Sequence, residues 1–278
     1  MRRFQIDYTV PNHGLRSSIS NNKTDLTPII DKVVSELRSA CVNIPSLDYS
    51  ISWGELPSNT LATTWTYFSW DVDSWVPSNL FTVQFNPRFQ WWDGPCGSKP
   101  GSYYDLKSTM IHEVLHGVGY MSTIDSNKTA WPSKFDLLLR DDTGERVVKD
   151  GRYTGNLGDR VYIDQIRMYN PRQYNSGSSF SHEDSSGFLM SHAQTRCTPH
   201  FDKNSRIILN RLGYGCSMNF TSFEANNDNA ETTFSLGIGV YIGIGVGFLV
   251  VLLIGVVLCL CNKSNGRKKR NLEKQPLL

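Results

Sequence analysis

The chain is 278 residues long, which is room for one sizeable domain or two small ones. It carries 28 Lys and Arg against 26 Asp and Glu, a net charge of +2, but residues 262–278 alone hold six bases and one acid, which leaves the rest at −3. A faintly acidic body argues against nucleic acid as the partner, because phosphate binding needs a basic face.

Phe4, Ile6, Tyr8 and Val10 alternate as in a strand. Asp25-Leu26-Thr27-Pro28 reads as a helix start. Ile29, Ile30, Val33, Val34 and Leu37 follow at helical spacing, so 27–40 is predicted to be an amphipathic helix. Asp48 to Trp53 reads as a strand, as do 61–68 and 80–86, the last with Phe81, Val83 and Phe85 on one face. Trp91 to Pro95 reads as a loop. Tyr104 to Tyr120 is a second predicted helix, with Leu106, Met110, Ile111, Val114, Leu115 and Val118 on its apolar side. Beyond residue 121 the pattern is irregular. Strand, helix, several strands and a further helix make an α+β arrangement in one domain, residues 1–216.

Residues 217–233 are rich in Asn, Ser and Thr and read as a stalk. Residues 234–261 contain no charged residue, which exceeds the roughly 20 apolar residues that a membrane-spanning helix needs. Arg267-Lys268-Lys269-Arg270 follows this run, whereas Glu224, Asp228 and Glu231 precede it. Positive charge stays on the cytosolic side, so 262–278 is expected to be a cytosolic tail and the body to face the lumen or exterior. The sequons at Asn22, Asn127 and Asn219 agree with that side and make a glycoprotein the expectation. Gly239, Gly243 and Gly247 form a smooth stripe that suits close approach of a second helix, hence a homodimer. Cys259 and Cys261 suit palmitoylation, and Leu277-Leu278 suits a sorting adaptor, so the cell surface or an endosomal or lysosomal membrane is the expected location. No apolar leader opens the sequence, so either an upstream signal precedes it or the span acts alone.

Cys41, Cys96, Cys197 and Cys216 lie in the body, where an oxidising compartment allows two disulfides in three connectivities. Local loop closure favours Cys41–Cys96 and Cys197–Cys216.

The chemistry concentrates at His112-Glu113-Val114-Leu115-His116. Two histidines four apart on a helix lie about 6 Å apart on one face, so both imidazoles can reach one ion. Glu113 is displaced around the helix, placed to accept a proton from a zinc-activated water as general base. The bland alternative is a surface helix with two unremarkable histidines.

This motif, with Gly119 three residues after His116, resembles the metzincin clan of zinc peptidases. The short form of that clan's motif has its third His where this chain has Ser122, a poor zinc ligand. His182 is the better candidate, because Leu189-Met190 stands eight residues after it, as the third His and the Met-turn stand in matrixin-like members. The sequence thus looks like a metzincin with an insert over about 122–181, a point at which leishmanolysin-type enzymes also carry one. Trp131 to Leu139, Asp142-Thr143-Gly144 and Ile207 to Tyr214 resemble segments of secreted enzymes of that sort. The likeness covers 104–216. It implies a mixed twisted sheet, an active-site helix, an irregular C-terminal subdomain, Zn²⁺ on His112, His116 and His182, Met190 packed beneath, and endopeptidase activity on protein or peptide substrates.

Asp136 is the rival third ligand, lying twenty residues past His116. His192, two after Met190, is a candidate to line the cleft or stabilise an oxyanion, otherwise a loop residue. His200 and His13 read as structural. The alternative function is a catalytically inactive adhesion or receptor ectodomain on the same scaffold, and a third is a zinc hydrolase with a non-peptide substrate.

Overall fold

The computed structural model describes residues 1–9, 24–193 and 197–218. These belong to the first of two units in the chain, Met1–Asp228; the second, Asn229–Leu278, lies outside the described residues. So do the predicted span at 234–261 and the basic tail, with Asn22, Asn219, Gly239, Gly243, Gly247, Cys259, Cys261, Leu277 and Leu278. Among the described residues no helix is long and apolar enough to cross a membrane.

The architecture is α+β. In chain order the first elements are β1 (Arg2–Thr9), α1 (Thr27–Ala40), β2 (Asp48–Trp53), β3 (Thr60–Asp71) and β4 (Ser74–Phe85). Two short strands follow, β5 (Trp91–Trp92) and β6 (Tyr104–Asp105), and then α2 (Leu106–Gly117). The later part holds the strands β7 (Val148–Lys149), β8 (Arg152–Tyr153), β9 (Val161–Ile163) and β10 (Ile166–Met168), and the helix α3 (Lys203–Leu212).

β1 to β4 form a mixed sheet in the order β1-β3-β4-β2. β3 runs antiparallel to both β1 and β4, whereas β2 lies parallel to β4. The predicted strands 61–68 and 80–86 are parts of one long hairpin. Alternation weakens in its outer half, where β4 is only partly buried, so the sequence pattern marks only the inner ends.

α1 begins with Pro28 in its first turn, where a missing N–H costs nothing. Ile30, Val33, Val34 and Leu37 are buried along one face, as their spacing predicts. Burying each stabilises the fold by roughly 1.5–3 kcal/mol.

α2 is different in kind. Every residue from Ser108 to Gly117 is buried, not only the apolar side. A helix buried all round lies inside the domain rather than on its surface. Asp105 caps its start by accepting from the Ser108 N–H at 2.6 Å. Gly117 allows close approach to β4, since a Cβ there would lie 2.6 Å from the Phe81 ring.

The helix ends at Gly117, three residues before the Tyr120 that hydrophobic spacing suggests. Gly119 sets the stop. It adopts φ +97°, and its N–H donates to the His116 carbonyl while the Tyr120 N–H donates to Leu115, each at 3.0 Å. This is a Schellman cap, which glycine adopts without steric cost.

The cysteine pairing differs from the local one expected. The disulfides are Cys41–Cys216 and Cys96–Cys197, with sequence separations of 175 and 101. The first joins the end of α1 to the segment after α3. The second joins the β5–β6 region to the segment after Met190. Proximity in sequence was a poor guide because the fold brings the chain's later part back onto α1 and α2. α3 was not foreseen as a helix, although Asp202 and Gly213 bracket it as an N-cap and a left-handed C-terminal residue with φ +101°.

Candidate metal centre

His112, His116 and His182 converge. Their Nε2 atoms stand 3.0, 3.1 and 3.3 Å apart, and all three residues are fully buried. α2 supplies two of them from consecutive turns of one face. The third comes from a segment 66 residues further along the chain, where a tight turn delivers it.

Each ring is fixed by a backbone carbonyl. His112 Nδ1 donates to Leu189 at 2.8 Å, His116 Nδ1 to Tyr120 at 2.6 Å and His182 Nδ1 to Ser178 at 3.1 Å. A carbonyl only accepts, so Nδ1 carries the proton in each ring and Nε2 presents a lone pair. Three lone pairs thus face one another at short range, an arrangement that repels unless a cation sits among them. The donor set suits zinc. Two nitrogens about 2.0–2.1 Å from a tetrahedral zinc ion stand about 3.3 Å apart, close to the spacing here. These three residues could hold a metal ion.

Burial also keeps the rings neutral. It lowers His112 to about 4, against the favourable pull of the Leu189 carbonyl. His116 and His182 are held well below 6.5 by burial first and then by their imidazole neighbours. Neutral imidazole is the form that binds metal.

No family model, curated protein or solved structure matches this chain.

Glu113 is fully buried beside His112 on α2. Its Oε2 accepts from the Thr64 hydroxyl of β3 at 2.5 Å, and its backbone carbonyl lies 3.1 Å from the same hydroxyl. Two residues along β3, the Thr66 hydroxyl donates to the His116 carbonyl at 3.0 Å. Thr64 and Thr66 thus tie the sheet to the polar side of α2. Neither threonine was singled out from sequence. The usable signal was a pair of threonines two apart in a strand flanked by apolar residues, which places two hydroxyls on one buried face.

The segment around His182 is held by backbone pairing. The Tyr169 N–H donates to the His182 carbonyl at 2.8 Å and the Phe180 N–H to the Tyr169 carbonyl at 2.7 Å. The Glu183 N–H donates to the Met190 carbonyl at 2.7 Å, which folds the two predicted segments together. Met190 is fully buried in the main core. The Leu189 N–H donates to Asp202 at 2.6 Å, so the N-cap of α3 also steadies the residue whose carbonyl orients His112.

Glu183 is buried with its Oε2 accepting from the Asn204 amide at 2.7 Å and its Oε1 from the Tyr120 hydroxyl at 3.3 Å. Burial first, then the Asp202 charge, pushes its carboxyl up to about 8.

Two other candidates stand elsewhere. Asp136 is fully buried but outside the histidine group. Its carboxylate is enclosed by the hydroxyls of Ser122, Thr123 and Ser133 at 2.6, 2.7 and 2.8 Å. His192 is not among the converging histidines. Its ring stacks on Tyr169 with centroids 3.8 Å apart, and its Nδ1 lies 3.2 Å from the Glu183 carbonyl. Cys96 and Cys197 lie near Asp105, but their sulfurs are joined as a disulfide. Asn127 sits exposed at a turn in which Asp125 accepts from the Asn127 N–H at 2.9 Å.

Proposed function

We propose that this chain is a metzincin-like zinc endopeptidase, anchored by the apolar segment 234–261 with its catalytic domain on the lumenal or external side. The observation that carries the reading is the convergence of three Nε2 atoms within 3.3 Å beside a buried glutamate. His112, His116 and His182 would hold zinc, and Met190 would pack beneath it. When bound, zinc supplies Lewis acidity, which acidifies water and polarises a carbonyl.

The chain's own residues supply the rest. Glu113 accepts the proton of the attacking water at a carboxylate oxygen and delivers it to the leaving amine nitrogen. Thr64 holds Oε2 and so fixes the plane of that carboxylate. The three carbonyl-bound rings keep their lone pairs aimed inward through the cycle.

The test uses the full-length chain in detergent. It should contain about one zinc per chain and cleave an unfolded protein such as denatured casein. Glu113→Ala should keep the metal and lose activity by roughly 10²–10⁴-fold. Full activity in that variant would refute the mechanism. Zinc without cleavage of any peptide substrate in the parent chain would instead favour a silent ectodomain or a hydrolase of another class.

A further inference from the structure

We propose that Asp136 is a positioning residue for two of the metal ligands, and that Ser122 and Ser181 are the struts through which it acts. This rests on the metal-centre reading above and goes beyond it, since Asp136 touches neither the metal ligands nor Glu113.

The argument starts where α2 ends. The Schellman cap at Gly119 turns the chain so that the Tyr120 carbonyl meets His116 Nδ1 at 2.6 Å. Tyr120 therefore has to stay where the turn puts it. Two residues on, Asp136 captures the same segment. The Ser122 hydroxyl donates to Oδ1 at 2.6 Å, and the Thr123 N–H donates to Oδ2 at 3.1 Å. The Ser133 hydroxyl donates to Oδ2 at 2.8 Å, which anchors the carboxylate to its own turn.

The other end reaches the third ligand. The Ser122 N–H donates to the Ser181 hydroxyl oxygen at 3.0 Å. Ser181 immediately precedes His182, and the Ser178 carbonyl accepts both the Ser181 N–H and His182 Nδ1. One buried carboxylate thus fixes a segment that orients His116 at one end and steadies the turn of His182 at the other.

The burial makes this specific. Asp136 has no exposed surface, and Ser122, Thr123, Ser133 and Ser181 are each at most 7% exposed. A surface carboxylate could be replaced by water; this one cannot. It also explains Ser122. Where the short motif would carry a ligand, this chain carries a hydroxyl that binds the anchor instead. A ligand brought from beyond a long insert needs its supporting turn held to a fraction of an ångström.

The test uses cobalt(II) in place of zinc in the full-length chain, because its visible absorption reports ligand geometry. Affinity is read by chelator competition. Asp136→Asn keeps the size but replaces one acceptor oxygen with a donor facing donors. It should weaken cobalt binding about 10-fold or more and shift the absorption bands. Ile163→Ala, a buried cavity variant in β9 away from this chain of contacts, should lower thermal stability yet leave affinity and bands unchanged. Should Asp136→Asn fail to fold, Ser122→Ala combined with Ser181→Ala carries the same expectation. Parent-like affinity and bands in these variants would overturn the proposal. If the parent chain gives no cobalt bands that His116→Ala abolishes, the metal-centre reading falls first and the proposal with it.

Discussion

Chelation and pH together probe the buried ionisable groups of the centre. In the folded, metal-free protein burial holds His112 down to about 4, against about 6.5 in an unfolded chain. The unfolded state then binds a proton that the folded state refuses, so stability falls as pH drops from 6.5 towards 4. A gap of about 2.5 units at 1.36 kcal/mol each is about 3 kcal/mol from His112 alone. His116 and His182 act in the same direction. Glu183 has the opposite sign. Its folded value is raised to about 8, so its contribution is full below 4.5 and is lost as pH rises through 8. Above pH 6.5 the histidines are neutral in both states and Glu183 dominates, which removes about 2 kcal/mol by pH 8. Asp105 and Asp136, also raised by burial, oppose the histidines only at the acid end. Stability of the metal-free chain should therefore peak near pH 6.5, with its steepest rise about one unit lower, where the unfolded-state histidines are almost fully protonated. Urea unfolding of the full chain in detergent, followed by tryptophan fluorescence from pH 4 to 9 with a chelator present, measures this. Saturating zinc should lift the whole curve by binding only the folded state, and Glu183→Gln should remove the alkaline limb and steepen the rise between pH 4.5 and 6.5, where Glu183 opposes the histidines. Metal-free stability that is flat from pH 4.5 to 6.5, or that still rises through pH 8, would refute the reasoning.

Peptide mapping without reduction should recover Cys41–Cys216 and Cys96–Cys197, and finding the two local pairs would reject this fold. Replacing Cys41 and Cys216 together by Ala opens a loop of 175 residues and should cost up to about 5 kcal/mol in chemical unfolding. Gly119→Ala forces a side chain onto φ +97° with its Cβ 2.4 Å from Pro77, so it should destabilise by about 2 kcal/mol or more in the same assay. His182→Ala should weaken zinc retention in dialysis, whereas His192→Ala, whose ring stacks on Tyr169, should retain the metal.

What the sequence reveals follows from physical range. α1 and the inner ends of the β3–β4 hairpin are legible because burial on one side writes a period into the chain, and α2, although buried all round, is legible because its apolar residues still recur at helical spacing. The two α2 histidines and Glu113 are legible because a helix fixes their spacing locally. His182 was reached through its spacing to Met190, and the structure brings its Nε2 to the other two. The disulfides were misread because loop length says nothing about which distant segments meet. The orienting groups of the histidines are backbone carbonyls, which every residue possesses and no residue type announces. Asp136 looked like a ligand because a lone acid at that distance is chemically able to bind zinc. Only its partners separate a ligand from an anchor, and those partners are hydroxyls.

The distribution of charge around the centre has a consequence for reactivity. The three donors are neutral imidazoles, and their orienting partners are carbonyls rather than carboxylates. A carboxylate behind an imidazole would push electron density onto the metal; a carbonyl does so less. A divalent ion there would keep most of its charge, which favours acidifying water. The buried acids nearby are engaged by other groups: Asp136 by hydroxyls, Glu183 by Asn204 and Tyr120, and Asp202 by the N–H groups of Leu189 and Ser205. Glu113 differs in its place, next to His112 on the same helix and with one carboxylate oxygen accepting from the uncharged hydroxyl of Thr64.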